Sequence, residues 1–114
     1  MACIFCRIAA GEIPANVVAR GDGVLAFRDV NPQAPTHVLV IPTQHVPSSG
    51  HLPVSERAAV FGAVMQLAVE VAAQLGLAEP GYRLVVNTGV DGGQSVDHLH
   101  VHLLGGRRMH WPPG

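Results

Sequence analysis

Apolar positions recur along the chain at two different spacings, and together they predict two helices and five strands. Between residues 56 and 75, apolar side chains follow the spacing of an amphipathic helix, which Gly76 then ends. A shorter apolar segment at residues 4–10 predicts a short helix that ends at Gly11. Runs rich in Val, Leu and Ile predict strands at residues 17–20, 24–28, 37–41, 82–87 and 98–104.

The order of these elements is helix, three strands, long helix, two strands, which predicts a single α+β domain over residues 1–114. The turn at residues 21–23 and the other short connections favour antiparallel pairing, so we expect a meander. The long helix also carries Val60, Ala63 and Leu67 on a second apolar face. A helix that is apolar on two sides needs two packing partners, which we expect to be the sheet and a second subunit.

Composition narrows the classes of function. Apolar residues make up 48% of the 114-residue chain and the net charge is −1, which excludes a disordered protein. The seven fixed cations are all arginines, too few for a broad cationic surface that binds nucleic acid. Polar residues interrupt the long helix, and the N-terminus lacks a secretory pattern. We therefore expect a cytoplasmic protein that binds neither nucleic acid nor a membrane.

Three histidines alternate in the last predicted strand. Alternation places His98, His100 and His102 on one face, about 6.6 Å apart at ~3.3 Å per residue. The pattern favours a metal site or a catalytic constellation over a solvated polar face. Imidazole also suits phosphorus chemistry, because it can attack when neutral and stabilise an anionic oxygen when protonated. The glycine-rich loop at residues 89–93, followed by Ser95, could form an anion nest beside it.

Two cysteines near the N-terminus, Cys3 and Cys6, have the C-x2-C spacing of a metal or redox site. A thioredoxin-like motif normally follows a strand, and nothing before Cys3 could form one. The alternative is a pair of free thiols at a mobile terminus.

The residues around the three histidines carry a resemblance to a known family. The segment 98–104 resembles the H-x-H-x-H signature of the histidine triad family. Segments 92–96 and 105–114 around it, and 27–37 with 41–42 upstream, resemble the histidine triad nucleotide-binding (Hint) branch. The resemblance covers nearly the whole chain. It implies a five-stranded antiparallel sheet with a long helix, and two subunits that join into a continuous ten-stranded sheet.

The resemblance also implies an activity: binding of purine nucleoside monophosphates and cleavage of phosphorus–nitrogen bonds without a catalytic metal. His100 would attack the α-phosphorus and form a nucleotidyl-histidine, with His102 and His37 beside the phosphate. The other implied site residues are Ser95 near the scissile bond, Asn87 near the leaving group, Gly93 in the phosphate loop, Asp29 on the ribose hydroxyls, and Phe5, Ile8, Phe27 and Val30 around the base.

Some bacterial members of the family hold a zinc ion with a cysteine pair and two histidines. By position these ligands would be Cys3, Cys6, His45 and His98. Four protein ligands leave no open position for water, so such a zinc would be structural. His51 and His110 are then expected at the surface.

Three other functions remain open from the sequence. They are a non-catalytic nucleotide sensor or scaffold, a dinucleoside polyphosphate hydrolase or nucleotidyl transferase, and a zinc hydrolase with the triad as ligands. An intact His100 with Ser95 favours catalysis over sensing. The ending at residues 111–114 belongs to the Hint branch and is implied to lie near the partner's active site. Asp97 departs from the aromatic residue usual there; it would tune the leaving-group preference or a histidine pKa, or be simply solvated.

Overall fold

A five-stranded antiparallel sheet with one short and one long helix forms the fold, as the sequence predicted. The structure is a computed structural model and describes residues 3–114. In chain order the elements are α1 (Ile4–Ala9), β1 (Val17–Gly21), β2 (Val24–Arg28), β3 (Thr36–Pro42), a 3-10 turn (Ser49–His51), α2 (Val54–Gln74), β4 (Tyr82–Val86) and β5 (Val101–Gly105). Helix α2 therefore begins two residues before its predicted start.

The strand order is β1-β2-β3-β5-β4, so the prediction of a simple meander is wrong. After β3, helix α2 crosses one face of the sheet and returns the chain one strand further out, as β4. The last strand then fills the gap, pairing with β3 on one side and β4 on the other. This places β5, which carries His102, in the interior of the sheet, and leaves β1 and β4 as the edges.

Residues in successive positions of β2 and β3 point to opposite sides of the sheet, so both faces carry apolar side chains. A helix covers each face. One face packs against α2, whose Val64, Ala68 and Val71 are buried on it. The other face packs against α1 through a smaller cluster that contains Phe5 and Leu39. The histidines lie on this second face, under the short helix.

The last strand begins at Val101, three residues later than predicted, so two of the three histidines precede it. The main-chain amides of residues 98–99 form hydrogen bonds outside the sheet. The His98 N–H donates to the Val96 carbonyl and the Leu99 N–H to the Val46 carbonyl. These bonds replace the ladder that a regular strand would make. His98 and His100 are therefore positioned by a turn, and only His102 by the sheet.

Several apolar side chains of α2 stay uncovered. Met65 is 37% exposed and Val69 49% exposed, on the part of the helix that faces away from the sheet core. Within residues 3–114, no helix is long and apolar enough to cross a membrane.

Candidate active site and metal site

A cleft of about 320 Å³ opens between α1 and the sheet, and most of the predicted nucleotide-site residues line it. Its apolar walls include all four residues assigned to the base: Phe5, Ile8, Phe27 and Val30. Its polar lining includes Asp29, Ser95, His100 and His102. An apolar slot that leads to a few polar groups is the usual form of a small-molecule site.

His100 lies at the polar end of this cleft with its tautomer fixed. Its Nδ1 lies 2.7 Å from the His98 carbonyl oxygen. A carbonyl can only accept, so Nδ1 carries the proton, and in neutral His100 the lone pair is on Nε2. The side chain is 3% exposed, and its ring meets the Phe5 ring edge-on at 5.2 Å. The ring is thus held by one hydrogen bond and one aromatic contact.

A chain of hydrogen bonds orients His102. The main-chain N–H of Gln33 donates to His37 Nδ1 at 3.0 Å, so neutral His37 carries its proton on Nε2. His37 Nε2 lies 2.9 Å from His102 Nδ1 and donates to it. His102 is then protonated on Nε2, a buried atom that has no partner within the described residues. A buried N–H without an acceptor is unfavourable, so the site is suited to an anionic oxygen here.

The surroundings keep both of these imidazoles neutral. Burial, with additional repulsion from His100 and His37, lowers the pKa of His102 to about 4. Burial also lowers the pKa of His37, and the Asp29 carboxylate, 3.4 Å from its Nε2, offsets that effect only in part. At neutral pH the pair therefore presents one fixed N–H donor to the cleft rather than a mobile proton.

The other predicted site residues are more dispersed. Ser95 is exposed at the cleft, and Asp29 is fixed by accepting from the Asn31 N–H at 2.8 Å. Asn87 lines a separate cavity that also contains His37 and His102, on the β4 side. His51 and His110 are exposed, as expected, and so is Asp97.

The glycine-rich loop differs from the anion nest that the sequence suggested. The N–H groups of Gly93 and Gln94 donate to carbonyls within the loop, and the Gly89 N–H donates to the Gln94 side chain. Three of the amides thus have partners, and Gly93 itself does not line the cleft. The loop is compact: a Cβ at Gly92 would clash with the main-chain oxygen of Thr88, so only glycine fits.

The four predicted metal ligands come together beside the cleft. The ligand atoms of Cys3, Cys6, His45 and His98 all lie within 4.8 Å of one another. His98 Nδ1 is 3.4 Å from Cys3 Sγ and 3.5 Å from Cys6 Sγ, and His45 Nδ1 is 3.2 Å from Cys6 Sγ. Ligands at ordinary zinc distances in a tetrahedron would have S···N edges of about 3.6 Å, so this donor set fits zinc.

The hydrogen bonding of His98 agrees with a ligand role. Its Nε2–H donates to the Pro42 carbonyl at 2.8 Å, which leaves the Nδ1 lone pair facing the thiols. The side chain is fully buried, and burial lowers its pKa. The neighbouring His100 and His102 use their own Nδ1 atoms for other hydrogen bonds, so the three triad imidazoles do not converge on one point.

A second set of possible ligand atoms, on Asp29, His37 and His102, also lies within 4.8 Å. There the His102 Nδ1 lone pair already accepts from His37, so the set is better described as a hydrogen-bond relay. Sequence reasoning missed the source of this relay, the amide of Gln33. A main-chain donor leaves no trace in residue identity, so no sequence signal would have revealed it.

The chain is similar to several known proteins. The HIT domain profile matches residues 10–109. A maize protein named "14 kDa zinc-binding protein" is 53% identical, with 97% of this chain and 87% of the relative covered. The Arabidopsis thaliana protein named "Adenylylsulfatase HINT1" is 50% identical, with 97% and 76% covered.

The fold of the chain also matches solved structures. The crystal structure of a HIT family hydrolase from Legionella pneumophila superposes with a TM-score of 0.95 at 49% identity, covering 99% of this chain and all of that one. The residues that the HIT domain model matches include His98, His100 and His102. The chain belongs to the histidine triad (HIT) family, in its HINT-like branch of nucleotide-binding proteins.

Proposed function

We propose that this protein is a purine nucleoside phosphoramidase that releases a nucleoside monophosphate through a nucleotidyl-histidine on His100. The observation that carries the proposal is the pair of fixed tautomers: a lone pair on His100 Nε2 beside an N–H on His102 Nε2. A nucleophile and a charge-stabilising donor therefore meet at the end of an apolar cleft.

The first chemical step would be attack of His100 Nε2 on the α-phosphorus. A neutral imidazole avoids the charge repulsion that slows attack by hydroxide on an anionic phosphoramidate. The phosphorus–nitrogen bond breaks as the leaving amine takes up a proton from solvent water, and the His102 N–H stabilises a phosphoryl oxygen. Ser95, exposed at the cleft, would donate a hydrogen bond near the scissile bond.

In the second step water would attack the nucleotidyl-histidine. This breaks the bond between phosphorus and Nε2, returns the water proton to solvent, releases the nucleoside monophosphate and regenerates neutral His100. The apolar walls of the cleft would hold the purine, with Asp29 on the ribose hydroxyls.

We also propose that Cys3, Cys6, His45 and His98 hold a structural zinc ion. All four positions would be protein ligands, so the ion would stabilise α1 and the turn at residue 98 without taking part in the reaction.

The direct test is to incubate the purified protein with adenosine 5′-phosphoramidate and measure AMP release by chromatography. Turnover that persists after brief chelation is the expected result, because no step uses a metal. Absence of AMP release from the folded, metal-loaded protein would overturn the enzyme proposal. Retained AMP binding alone would then support the sensor or scaffold alternative.

A further inference from the structure

The cysteine pair is placed to form a disulfide as well as to bind a metal ion. Cys3 is the N-cap residue of α1, Cys6 lies in its first turn, and the Arg7 N–H closes that turn by donating to the Cys3 carbonyl at 3.0 Å. Cα atoms three residues apart in such a turn are about 5 Å from each other, within the range that disulfides span. The two sulfurs lie within 4.8 Å of each other. Rotation of the two side chains would therefore bring the sulfurs to bonding distance.

Solvent reaches the pair from the side of His45. Cys3 and Cys6 are each half-buried, and His45, whose Nδ1 is 3.2 Å from Cys6 Sγ, is exposed. His98, which contacts both sulfurs, is fully buried. A small oxidant that arrives past His45 meets Cys6 first, with Cys3 beside it. A solvent-accessible cysteine next to a second, resolving cysteine is the usual arrangement of a redox-sensitive thiol.

A disulfide between these cysteines would be reversible rather than structural. It would close a loop of only two intervening residues, so it would constrain the unfolded chain very little. An exposed disulfide of this kind belongs to the labile, regulatory class. The pair differs from a thioredoxin-like centre, because α1 is the first element of the described chain and follows no strand.

We propose that Cys3 and Cys6 are a redox site, which a peroxide converts to a disulfide and which controls the nucleoside cleft through α1. The inference rests on the proposed metal site and nucleotide cleft, and it names how they are regulated. The Cys6 thiolate attacks one peroxide oxygen, the O–O bond breaks, and a sulfenic acid and one water form. Cys3 then attacks the sulfur of that sulfenic acid and releases a second water. In total, two thiols and one hydrogen peroxide give one disulfide and two waters.

The disulfide removes the contacts that hold α1 against His98. In the reduced protein the thiols of Cys3 and Cys6 lie 3.4 and 3.5 Å from His98 Nδ1, whose lone pair accepts from an S–H. A disulfide sulfur has neither a proton to donate nor a negative charge to bind a cation. A metal ion at the site would therefore be released, and the two waters would then take their protons from solvent.

Phe5 carries this change to the cleft, because it lies between the two cysteines in the chain. Its ring meets the His98 and His100 rings edge-on, at 5.8 and 5.2 Å, and it lines the cleft. A shift of α1 therefore moves one wall of the cleft and one of the two contacts that hold His100. We expect the oxidised protein to bind AMP more weakly than the reduced protein.

The first experiment asks whether the disulfide forms. The purified protein, with and without prior chelation, is treated with a small molar excess of hydrogen peroxide, and the tryptic peptide of residues 1–7 is analysed by mass spectrometry. We expect this peptide to lose two hydrogens and to regain them with dithiothreitol. Cys3→Ser and Cys6→Ser, each with one thiol, should not show this loss. Separate oxidation of the two thiols to sulfinic acids, without a disulfide, would overturn the proposal.

The second experiment measures control of the cleft by calorimetry with AMP. The metal-free reduced and oxidised proteins differ only by two hydrogens, so their comparison isolates the disulfide. We expect the dissociation constant of AMP to be about fivefold higher for the oxidised form, as for the loss of one aromatic contact, and to recover with dithiothreitol. Peroxide-treated Cys3→Ser is the control, because it keeps the methionines, whose oxidation dithiothreitol does not reverse. Its affinity should not change.

Equal affinities of the oxidised and reduced wild-type protein for AMP would overturn the control of the cleft. Failure of every form to bind AMP would instead contradict the proposed function, and the control of the cleft with it. The metal-loaded protein gives a third readout: with a chromogenic chelator present, peroxide should release about one zinc per disulfide, because both sulfurs are ligands. Zinc that stays bound after peroxide treatment would overturn the displacement.

Discussion

At the scale of single residues, His100 is the group on which the proposed reaction depends. Replacing it with glycine removes the nucleophile but leaves the cleft walls, so AMP should still bind within about threefold while turnover falls at least about a thousandfold. Mass spectrometry after a rapid quench should find a nucleotidyl adduct on His100 of the wild-type protein. Undiminished turnover in the glycine variant would show that another group attacks phosphorus.

His102 gives a prediction for pH. Its pKa is lowered to about 4 in the folded protein, against about 6.5 when unfolded. The unfolded chain then binds more protons between these values, so His102 contributes stability above pH 6.5 that is lost as the pH falls toward 4. After allowance for its partial exposure, we expect a loss on the order of 1 kcal/mol in the free energy of unfolding.

Urea unfolding at pH 7.0 and pH 4.5 measures this loss, and a His102→Asn variant isolates it, since any metal release is common to both proteins. The variant should lose less stability between the two pH values than the wild type does. His110→Gln, at an exposed position, is the control and should follow the wild type. An identical pH dependence in His102→Asn would contradict the lowered pKa.

Residue identities predicted which side chains form the site better than which ring nitrogens of those side chains carry protons. The ligand set at Cys3, Cys6, His45 and His98 could be named from spacing and family resemblance, and the structure brings it together. The amide of Gln33 that fixes His37 could not be found this way, since its position depends on the path of the loop.

At the scale of elements, α1 connects the proposed metal site to the cleft. Its Cys6 belongs to the ligand set, while its Phe5 contacts His100 and lines the cleft. A six-residue helix is too short to be stable without outside support. A metal ion bound by residues 3 and 6 would therefore fix the element that forms one wall of the nucleotide site.

Zinc removal should affect stability before chemistry. The purified protein should carry about one zinc per chain, and chelation should lower the melting temperature by roughly 5 °C or more, because binding at a closed site is coupled to folding. A Cys3→Ala/Cys6→Ala variant should melt at the lower temperature and should not respond to chelator. Protein purified without chelator that contains no zinc and has two freely reactive thiols would rule out the site.

Elements were predicted well in number and kind, and less well in their ends and order. The strand containing the triad was extended too far, because alternation in sequence does not reveal that residues 98–99 bind loop carbonyls. The exchange of β4 and β5 was missed for a similar reason: short connections indicate antiparallel pairing, but not which neighbour a strand chooses.

At the scale of the whole molecule, one edge of the sheet and one side of α2 are left incomplete. The outer strand β4 ends at Val86, 43% exposed, beside an apolar groove of about 370 Å³ that includes Phe61, Met65 and Leu99. The opposite edge, β1, is protected by an irregularity between Val17 and Ala19. An unprotected edge next to an apolar groove favours self-association at β4.

We therefore predict a homodimer that pairs the two β4 strands and covers the two α2 helices. Sedimentation at micromolar concentration should give about twice the 12.0 kDa chain mass. Met65→Glu, which places a charge in the groove, should shift the protein toward monomer. Val54→Glu, at an exposed position outside the groove, should remain dimeric. A wild-type monomer under these conditions would refute the assembly.

The groups that fix the tautomers of His100 and His37 are both main-chain groups, so they do not depend on the side chains at residues 98 and 33. A substitution at residue 98 or 33 alters a side chain but leaves the His98 carbonyl or the Gln33 amide in place, proline at position 33 excepted. The proposed metal ligand at position 98 could therefore be replaced without removing the main-chain groups that set the tautomers of His100 and His102.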